Sequence, residues 1–426
     1  MPKPKFATQF KTFCDTSLRV GFFLAVRQIR RANRWSTFLI ILVMLFTFLN
    51  MIVINGVLTG LPQGASDAYR SQYSGDIIIT NLEEKRYINN TNEMIGALRN
   101  MPEVVSLTPR LLAGGFLEAN YKTRLDGEEP EELAVQVAGI DPIIEDSVTH
   151  FSDLVIDGEY LTSDDRDAIL VGRDILEYYA AGLPGESTLS NVHVGDTVRL
   201  QIGSIVREVT IKGVLKSKVN VVGQRVYMVD SHVRQILGRS DTNVNEIAVV
   251  LNDTYVPIDF KNSLRGYDFY YDAHVQTWDE SQGKFFEDIV STFSILGAIV
   301  GAIGALVASI TIFIVIFINA ISRQRYIGIL KGIGVCGNAI TVSYVLQSFF
   351  YSLIGNAIGI ALLYAVLEPY LRANPIDFPF SDGILYVPVL DVLIRVLILF
   401  AVTLMAGYIP ARMVVKRNTL DTILGR

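Results

Sequence analysis

Charge is scarce in this chain of 426 residues. Only 19% of them are Asp, Glu, Lys or Arg, against a usual share of about a quarter, while half are hydrophobic and the mean hydropathy is +0.36. A disordered chain, which needs low hydrophobicity and high net charge, is excluded. Cysteine is almost absent: Cys14 and Cys336 are the two, and neither falls between residues 61 and 285, so that stretch holds no disulfide framework. Histidine is equally sparse. His150, His193, His232 and His274 are scattered and show no metal-ligand spacing, and no serine-nucleophile elbow or P-loop phosphate cradle occurs. The single GxGxxG, at Gly332, Gly334 and Gly337, has no βαβ unit around it and reads as a turn that reverses the chain. Metal-dependent, serine-hydrolase and nucleotide-hydrolysing classes are therefore not supported by any motif.

The missing charge is missing in blocks. No charged side chain lies between Arg34 and Asp67, between Asp288 and Arg323, or between Lys331 and Glu368. A hydrocarbon layer of about 30 Å needs roughly 20 apolar residues in a helix, so membrane helices are predicted over 36–60, 286–322 and 339–367. A fourth is predicted over 386–410, with Asp391 and Arg395 near its start. The apolar run after the basic segment Arg27, Arg30, Arg31 is too long for a signal peptide and lacks a cleavage site, so it reads as a retained anchor.

Lys and Arg place the ends. Residues 1–36 hold Lys3, Lys5, Lys11, Arg19, Arg27, Arg30, Arg31 and Arg34 against Asp15. Residues 323–338 hold Arg323, Arg325 and Lys331 with no acid, and the tail at 411–426 holds Arg412, Lys416, Arg417 and Arg426 against Asp421. Short basic segments stay cytoplasmic, so both termini and 323–338 are expected inside. Residues 61–285, with 35 of the 43 acidic residues and 20 of the 37 basic ones, are expected outside as a water-facing domain. Within 1–35, Leu18, Phe22, Ala25, Val26 and Ile29 repeat at helical spacing beside the basic residues, which predicts an amphipathic elbow in the inner interface. Residues 368–385 form an external loop.

The outer domain reads as mixed α and β. Strands are predicted at 76–80, 104–107, 115–119 and 133–138 with a helix at 92–100, a βαβ-type start, and residues 139–142 form a turn. A second unit has strands at 168–171, 197–202, 208–214 and 225–229, helices at 173–180 and 231–237, and a Gly/Pro/Ser-rich loop at 182–190. Strands at 246–251 and 268–274 rejoin the first unit. The domain thus divides into 61–150 with 240–285, and an insertion at 151–239.

Three groups of residues stand out in or beside the spans. Gly297, Gly301 and Ala305 repeat every four residues, as do Gly355 and Gly359; such rows let helix backbones approach closely, either at a dimer or sliding interface or within one bundle. Asp391 and Arg395 share a helix face and are expected to pair with each other rather than to hold a substrate. Ile327, Leu330 and Ile333 give the 323–337 segment one apolar face, suited either to docking in a partner's groove or to a plain positive loop.

The chain resembles the FtsX-like permeases, the transmembrane subunits of macrolide-exporter and lipoprotein-releasing ABC systems. The resemblance rests on Leu24, Arg27, Arg30 and Arg31, on the segment 325–334 (RYIGILKGIG), and on residues 408–412 (YIPAR) with Leu420, Ile423 and Leu424. In the outer domain it rests on residues 137–142 (VAGIDP), 169–173 (ILVGR) and 194–196 (VGD). Two positions depart from the family's usual Glu: Tyr326 and Gln347. With Tyr326, an aromatic or backbone-mediated contact replaces a salt bridge.

The resemblance implies an α-helical membrane protein with four transmembrane helices and a large extracytoplasmic α+β domain, a porter-like βαβ unit with an inserted mainly β subdomain. It implies a non-enzymatic permease of the inner membrane that binds no cofactor itself. ATP and Mg would sit on a separate cytoplasmic ABC ATPase docked at Arg323, Arg325, Tyr326, Gly328, Ile329, Leu330 and Lys331. A second permease copy or a sister permease, membrane lipids and a periplasmic adaptor or carrier are the other implied partners, and nucleic acid is not among them. The implied work is mechanotransmission for export or release of a lipoprotein, lipid, peptide or amphipathic drug. The alternative is an ATP-driven regulator of a cell-wall hydrolase or sensor kinase.

Overall fold

The computed structural model describes residues 6–31, 34–122, 124, 129–180, 188–374, 378, 380–381 and 385–416. In chain order the helices are α1 (Phe6–Arg30), α2 (Arg34–Tyr69), α3 (Thr91–Arg99), α4 (Pro142–Thr149), α5 (Asn220–Gly223), α6 (Asp230–Ile236) and α7 (Pro257–Leu264). They continue with α8 (Trp278–Ser281), α9 (Gly283–Ser322), α10 (Gln324–Gly332), α11 (Gly337–Leu362), α12 (Glu368–Ala373) and α13 (Val389–Lys416). The strands are β1 (Ile77–Asn81), β2 (Val104–Glu118), β3 (Glu132–Ile140), β4 (Val155–Gly158), β5 (Ala168–Gly172), β6 (Thr197–Ile202), β7 (Ile205–Leu215), β8 (Arg225–Val229), β9 (Glu246–Leu251) and β10 (Ala273–Thr277). The chain folds as two compact units, one of Met1–Leu61, Val290–Ile376 and Gly383–Arg426, the other of Pro62–Ile289 and Asp377–Asp382.

The first unit is helical. Among the described residues four helical stretches are long and apolar enough to cross a membrane: Thr37–Ser74, Phe286–Ser322, Gly337–Ala373 and Val389–Lys416. These match the four expected spans, and they run beyond them. At 1.5 Å per residue, α2 with 36 residues and α9 with 40 are about 54 Å and 60 Å long, well past a hydrocarbon layer of about 30 Å. The predicted first span ended near residue 60, where Gly60, Pro62 and Gly64 cluster, yet the helix continues through Pro62. Ser66 and Tyr69 explain the continuation. They bond to Gln282, whose Nε2 donates to Ser66 Oγ over 3.0 Å, and to the Ser281 carbonyl over 3.5 Å, so the polar turn is held by its neighbours.

The unit's core is the apolar cluster of Met44, Phe48, Ile52, Ile340, Tyr344, Leu399 and Ala411 and their neighbours. The first helix packs on α11 through its small residues. Its buried side is Gly21 and Ala25 with half-buried Gln28, set against the start of α11, while Leu18, Phe22 and Phe23 are exposed. Small residues win that face because α11 comes too close for bulk: a Cβ on Gly21 would stand 3.0 Å from the Ala339 carbonyl oxygen.

The second unit is a ten-stranded sheet among the described residues. Its first half has the order β10-β1-β9-β2, all neighbours antiparallel. Chain order makes this two interlocked split βαβ units, β1-α3-β2 and β9-α7-β10, the ferredoxin-like arrangement. Strands 246–251 and 273–277 thus flank β1, and the stretch between β2 and β9 is inserted; it begins with β3, ahead of the expected 151–239. That insertion closes on itself. β2 pairs β3, β3 pairs β8, β8 pairs β5, β5 pairs β7, β7 pairs β6, and β6 returns to β2, a six-stranded ring that leaves no open edge within it. Leu117, Val137, Ile169, Leu200, Ile211 and Val226 are among the side chains buried in its core.

Several local expectations differ. The strands predicted at 104–107 and 115–119 are one 15-residue strand, β2, whose first half pairs β9 and whose second half pairs β3 and β6. Pro109 and the Gly114–Gly115 pair lie inside this strand, which changes partners midway. The 139–142 turn is the end of β3 and the start of α4, where Asp141 Oδ1 caps the Ile143 amide over 3.0 Å and Pro142 sits at the first helical position. The helix predicted at 173–180 is a single 3-10 turn at Arg173–Ile175, and strand 268–274 is a 3-10 turn followed by β10. Part of the 182–190 loop, Leu420, Ile423, Leu424 and the last basic residues lie outside the described residues.

Candidate functional site

The basic segment expected on the cytoplasmic side is a helix, α10, between two membrane-length helices. Its apolar residues do not share one face. Ile327 and Gly328 are buried and Leu330 packs against the bundle core, but Ile333, at 73% exposure, does not. The protruding apolar side chains are Tyr326 at 67% and Ile329 at 49%, with exposed Arg325 beside them. Arg323 is half-buried ahead of the helix and its carbonyl accepts the Ile327 amide over 3.1 Å. Lys331 faces inward: its Nζ donates to the Val415 carbonyl of α13 over 2.9 Å, tying the helix to the last span. The Gly332–Gly334 turn closes α10, with Gly334 at φ +93°, a conformation that favours glycine, and the Val335 amide bonded to the Leu330 carbonyl over 3.0 Å.

The small-residue rows both receive side chains of α2. A Cβ on Gly355 would stand 2.5 Å from Met44 Cβ, and one on Gly359 would collide with the Phe48 ring. On α9, Cβ atoms at Gly297 and Gly301 would each come within 3.0 Å of the Asn55 amide group. Ala305 lines the same groove one turn on. Along α11 the buried side carries a polar ladder at four-residue spacing, Ser348, Ser352 and Asn356, with Gln347 beside it. Ser348 Oγ donates to the Tyr344 carbonyl over 2.9 Å, as helix-satisfied hydroxyls do in apolar surroundings. Gln347, 3% exposed, bonds through its Nε2 to Gln28 Oε1 and so fastens α1 to α11.

Asp391 and Arg395 do not pair. Among the described residues neither makes a hydrogen bond or an ion pair within 4.0 Å, although they are one turn apart. Asp391 is exposed in the first turn of α13, whereas the guanidinium of Arg395 turns toward α9, its Nη1 lying 3.7 Å from where a Gly301 Cβ would be.

The second unit contains a charged centre that no sequence motif announces. Arg110 sits where β2 changes partners: it is paired with Glu246 of β9, and Leu111 is paired with Gly139 of β3. Its Nη2 donates to Glu145 Oε1 over 2.7 Å and to the Tyr73 carbonyl over 2.9 Å, and its Nε reaches Glu145 Oε2 over 3.0 Å. Arg225 holds Glu246 with two bonds of 3.0 and 2.8 Å, and the Tyr73 hydroxyl donates to Glu246 over 2.9 Å. Both guanidinium groups lie over the Tyr73 ring at 5.1 and 5.3 Å. Burial pushes the Glu246 carboxyl up, but the charges of Arg225 and Arg110, with the bonds from Arg225 and Tyr73, outweigh it and hold the group below the usual carboxylate range. Burial pushes the Tyr73 hydroxyl well up, so it stays a donor. The centre joins the end of α2's helical run, both halves of the sheet and α4.

A second fastening lies nearby. Arg70 pairs with Asp76 at 2.5 Å, Asp76 Oδ2 accepts the Leu251 amide over 2.7 Å, and its carbonyl accepts the Trp278 amide over 3.1 Å. The chain segments leading in from α2 and out toward α9 therefore attach to adjacent strands, β1 and β10. His150, His193, His232 and His274 join no such centre, and among the described residues no three His, Cys, Asp or Glu side chains gather in a metal-holding group.

Residues 298–419 match the model of the FtsX-like permease C-terminal family. The chain is 29% identical over 165 residues to an ABC transporter permease of Bacillus subtilis, YtrF, covering 37% of each chain. It is 24% identical over 283 residues to an uncharacterised ABC transporter permease of Methanocaldococcus jannaschii, covering 63% of this chain and 65% of that one. The match thus spans less than two thirds of either relative. Among solved structures, the periplasmic region of MacB from Actinobacillus actinomycetemcomitans shares 15% identity at a TM-score of 0.34, covering 49% of this chain and 92% of that one. The extracellular domain of the noncanonic ABC-type transporter YknZ from Gram-positive bacteria shares 14% at 0.30, covering 47% and 98%. The protein is a multi-pass membrane protein whose residues 298–419 match the FtsX-like permease C-terminal family, and the resemblance to FtsX-like ABC permeases read from its sequence holds.

Proposed function

We propose that this chain is the membrane subunit of an ABC transporter, working as a homodimer or with a sister permease, and that a separate cytoplasmic ATPase, carrying ATP and Mg, docks on α10. Both termini and α10 are cytoplasmic in this reading and the sheet unit is extracytoplasmic, as the Lys/Arg distribution indicates. The observation that carries the proposal is the two-sidedness of α10. Ile327 and Gly328 anchor the helix, Lys331 ties it to α13, and Tyr326 and Ile329 protrude with no described side chain covering them. A push on those two side chains moves a helix already fixed to the bundle.

The motion then travels by α2 and α9, which attach through neighbouring segments to β1 and β10. A twist or separation of the two helices shears one pair of strands, and the rigid charged centre around Arg110 carries that shear into both halves of the sheet. This is mechanotransmission, in which the outer unit works on a lipoprotein, lipid, peptide or amphipathic drug, with a periplasmic adaptor or carrier as the receiving partner. The test is ATPase stimulation in a reconstituted complex. Ile329→Asp, which alters an exposed side chain, abolishes stimulation while the chain still folds. Leu330→Asp is the wrong variant, because Leu330 packs against the bundle and its loss confounds docking with stability. Unchanged stimulation with Ile329→Asp overturns the docking assignment.

A further inference from the structure

The helical unit carries an open groove of about 540 Å³ between α2, α9 and α13, within the usual size of a ligand site. Its apolar walls include Met51, Ala302, Ile394 and Ile398, and its polar groups are Asn55, Thr59, Ser294, Asp391 and Arg395. Three features set it apart from a packing defect. Asn55 is only 2% exposed, and its Nδ2 donates to the Met51 carbonyl over 2.8 Å, yet its Oδ1 has no hydrogen-bond partner among the described residues. Arg395, two turns into a membrane-length helix, makes no hydrogen bond or ion pair among the described residues, and neither does Asp391 one turn before it. Gly301 lets α9 approach the groove's polar groups closely, since a Cβ there would stand 3.0 Å from Asn55 Nδ2 and 3.7 Å from Arg395 Nη1.

A guanidinium beside hydrocarbon with no hydrogen bond or close ion pair among the described residues, only the more distant charge of Asp391 acting on it, is costly and marks a functional position. Its planar fork matches a phosphate or carboxylate. The neighbouring carboxylate of Asp391 repels a second negative charge and attracts an ammonium. We propose that this groove binds a zwitterionic phospholipid with a primary-amine headgroup: the phosphate on Arg395, the amine on Asp391, Asn55 Oδ1 as a further acceptor, and the acyl chains along Ile394, Ile398 and Ala302. The proposal rests on the membrane placement of the helices and not on an ATPase partner.

The experiment is lipid titration of the purified full-length chain in detergent, with bound lipid counted by native mass spectrometry. The probes are phosphatidylethanolamine and phosphatidylglycerol. The unaltered chain retains one phosphatidylethanolamine in preference to phosphatidylglycerol. Arg395→Gln weakens that binding about tenfold or more, the loss expected for a charge-assisted bond, and Arg395→Lys restores part of it. Asp391→Asn removes the preference between the two lipids. Ala302→Leu, which changes no charge, fills the groove and lowers binding of both. Equal retention of phosphatidylethanolamine by Arg395→Gln, by Ala302→Leu, or of both lipids by the unaltered chain overturns the proposal. Because the readout needs no ATPase, failure here and failure of α10 docking are told apart directly: each assay can fail while the other succeeds.

Discussion

Replacing Arg110 with Met leaves Glu145 buried without its cation. The variant removes the three bonds to Glu145 and the bond to the Tyr73 carbonyl, and it takes one of two positive neighbours from Glu246. Thr108 and Thr149 still donate to Glu145, over 2.9 and 3.0 Å, but hydroxyls do not neutralise a carboxylate at 0% side-chain exposure. Losing one partner of such a buried pair costs about 3–5 kcal/mol, most of it the penalty on the charge left behind. Amide exchange in the full-length chain reads this locally. The protected amides of β2, β3 and β9 exchange roughly a hundred- to several-thousand-fold faster if they open through this centre, while those of α11 and α13 are unchanged. A second variant guards the reasoning. Arg110→Met with Glu145→Leu removes both charges together, and apolar replacement of a whole buried pair is often neutral, so it recovers most of the protection. If the single variant exchanges like the unaltered chain, or if the double variant is as damaged as the single, the cost does not lie in an uncompensated charge and the argument fails.

Two further predictions concern the same units. Gly359→Val sets a branched side chain against the Phe48 ring and forces α2 from α11; overpacking of this kind costs about 1–3 kcal/mol, seen as a lower melting temperature of the detergent-solubilised chain, with no change expected for Gly332→Ala, where nothing lies within 4 Å. Glu246, whose carboxyl is held below its usual value, contributes stability that is fully present above about pH 4.3 and is lost as pH falls through the lower folded value. Exchange of the β8 and β9 amides therefore accelerates in acid below about pH 4.3, and Glu246→Gln, already destabilised at neutral pH, loses that acid-dependent step.

The helical unit was legible in the sequence because hydrocarbon imposes a length and a composition on whatever crosses it. Gaps of more than thirty residues without charge, such as 35–66, have no other use at this composition, and the structure returns four membrane-length helices there. Strand periodicity was legible for the same kind of reason: residues 197–202 and 225–229 alternate or run apolar over the lengths that β6 and β8 occupy. Element ends were less legible, because tertiary partners carry helices and strands through proline and glycine. Pro62 sits inside α2 because Ser66 and Tyr69 are held beyond it, and Pro109 and Gly114 sit inside β2 because that strand trades β9 for β3 and β6 at Arg110.

The sites divide along the same line. Local spacing located Gly297, Gly301, Gly355 and Gly359 as rows, since a row is a property of one helix. It could not say that Asn55, Met44 and Phe48 of α2 fill them, because a contact needs two helices. The α10 residues were located by charge and pattern, but the division into buried Ile327 and protruding Tyr326 and Ile329 depends on where the bundle lies. Asp391 and Arg395 carried an expected ion pair by spacing alone, and the structure sets both along an open groove with no bond between them. Arg110, Glu145, Arg225 and Glu246 lie up to 136 residues apart in the chain and had no signal in it. Residue type and local period belong to the sequence and are set by the solvent each segment meets; which distant charges neutralise one another is decided only when the sheet closes around them and water is gone.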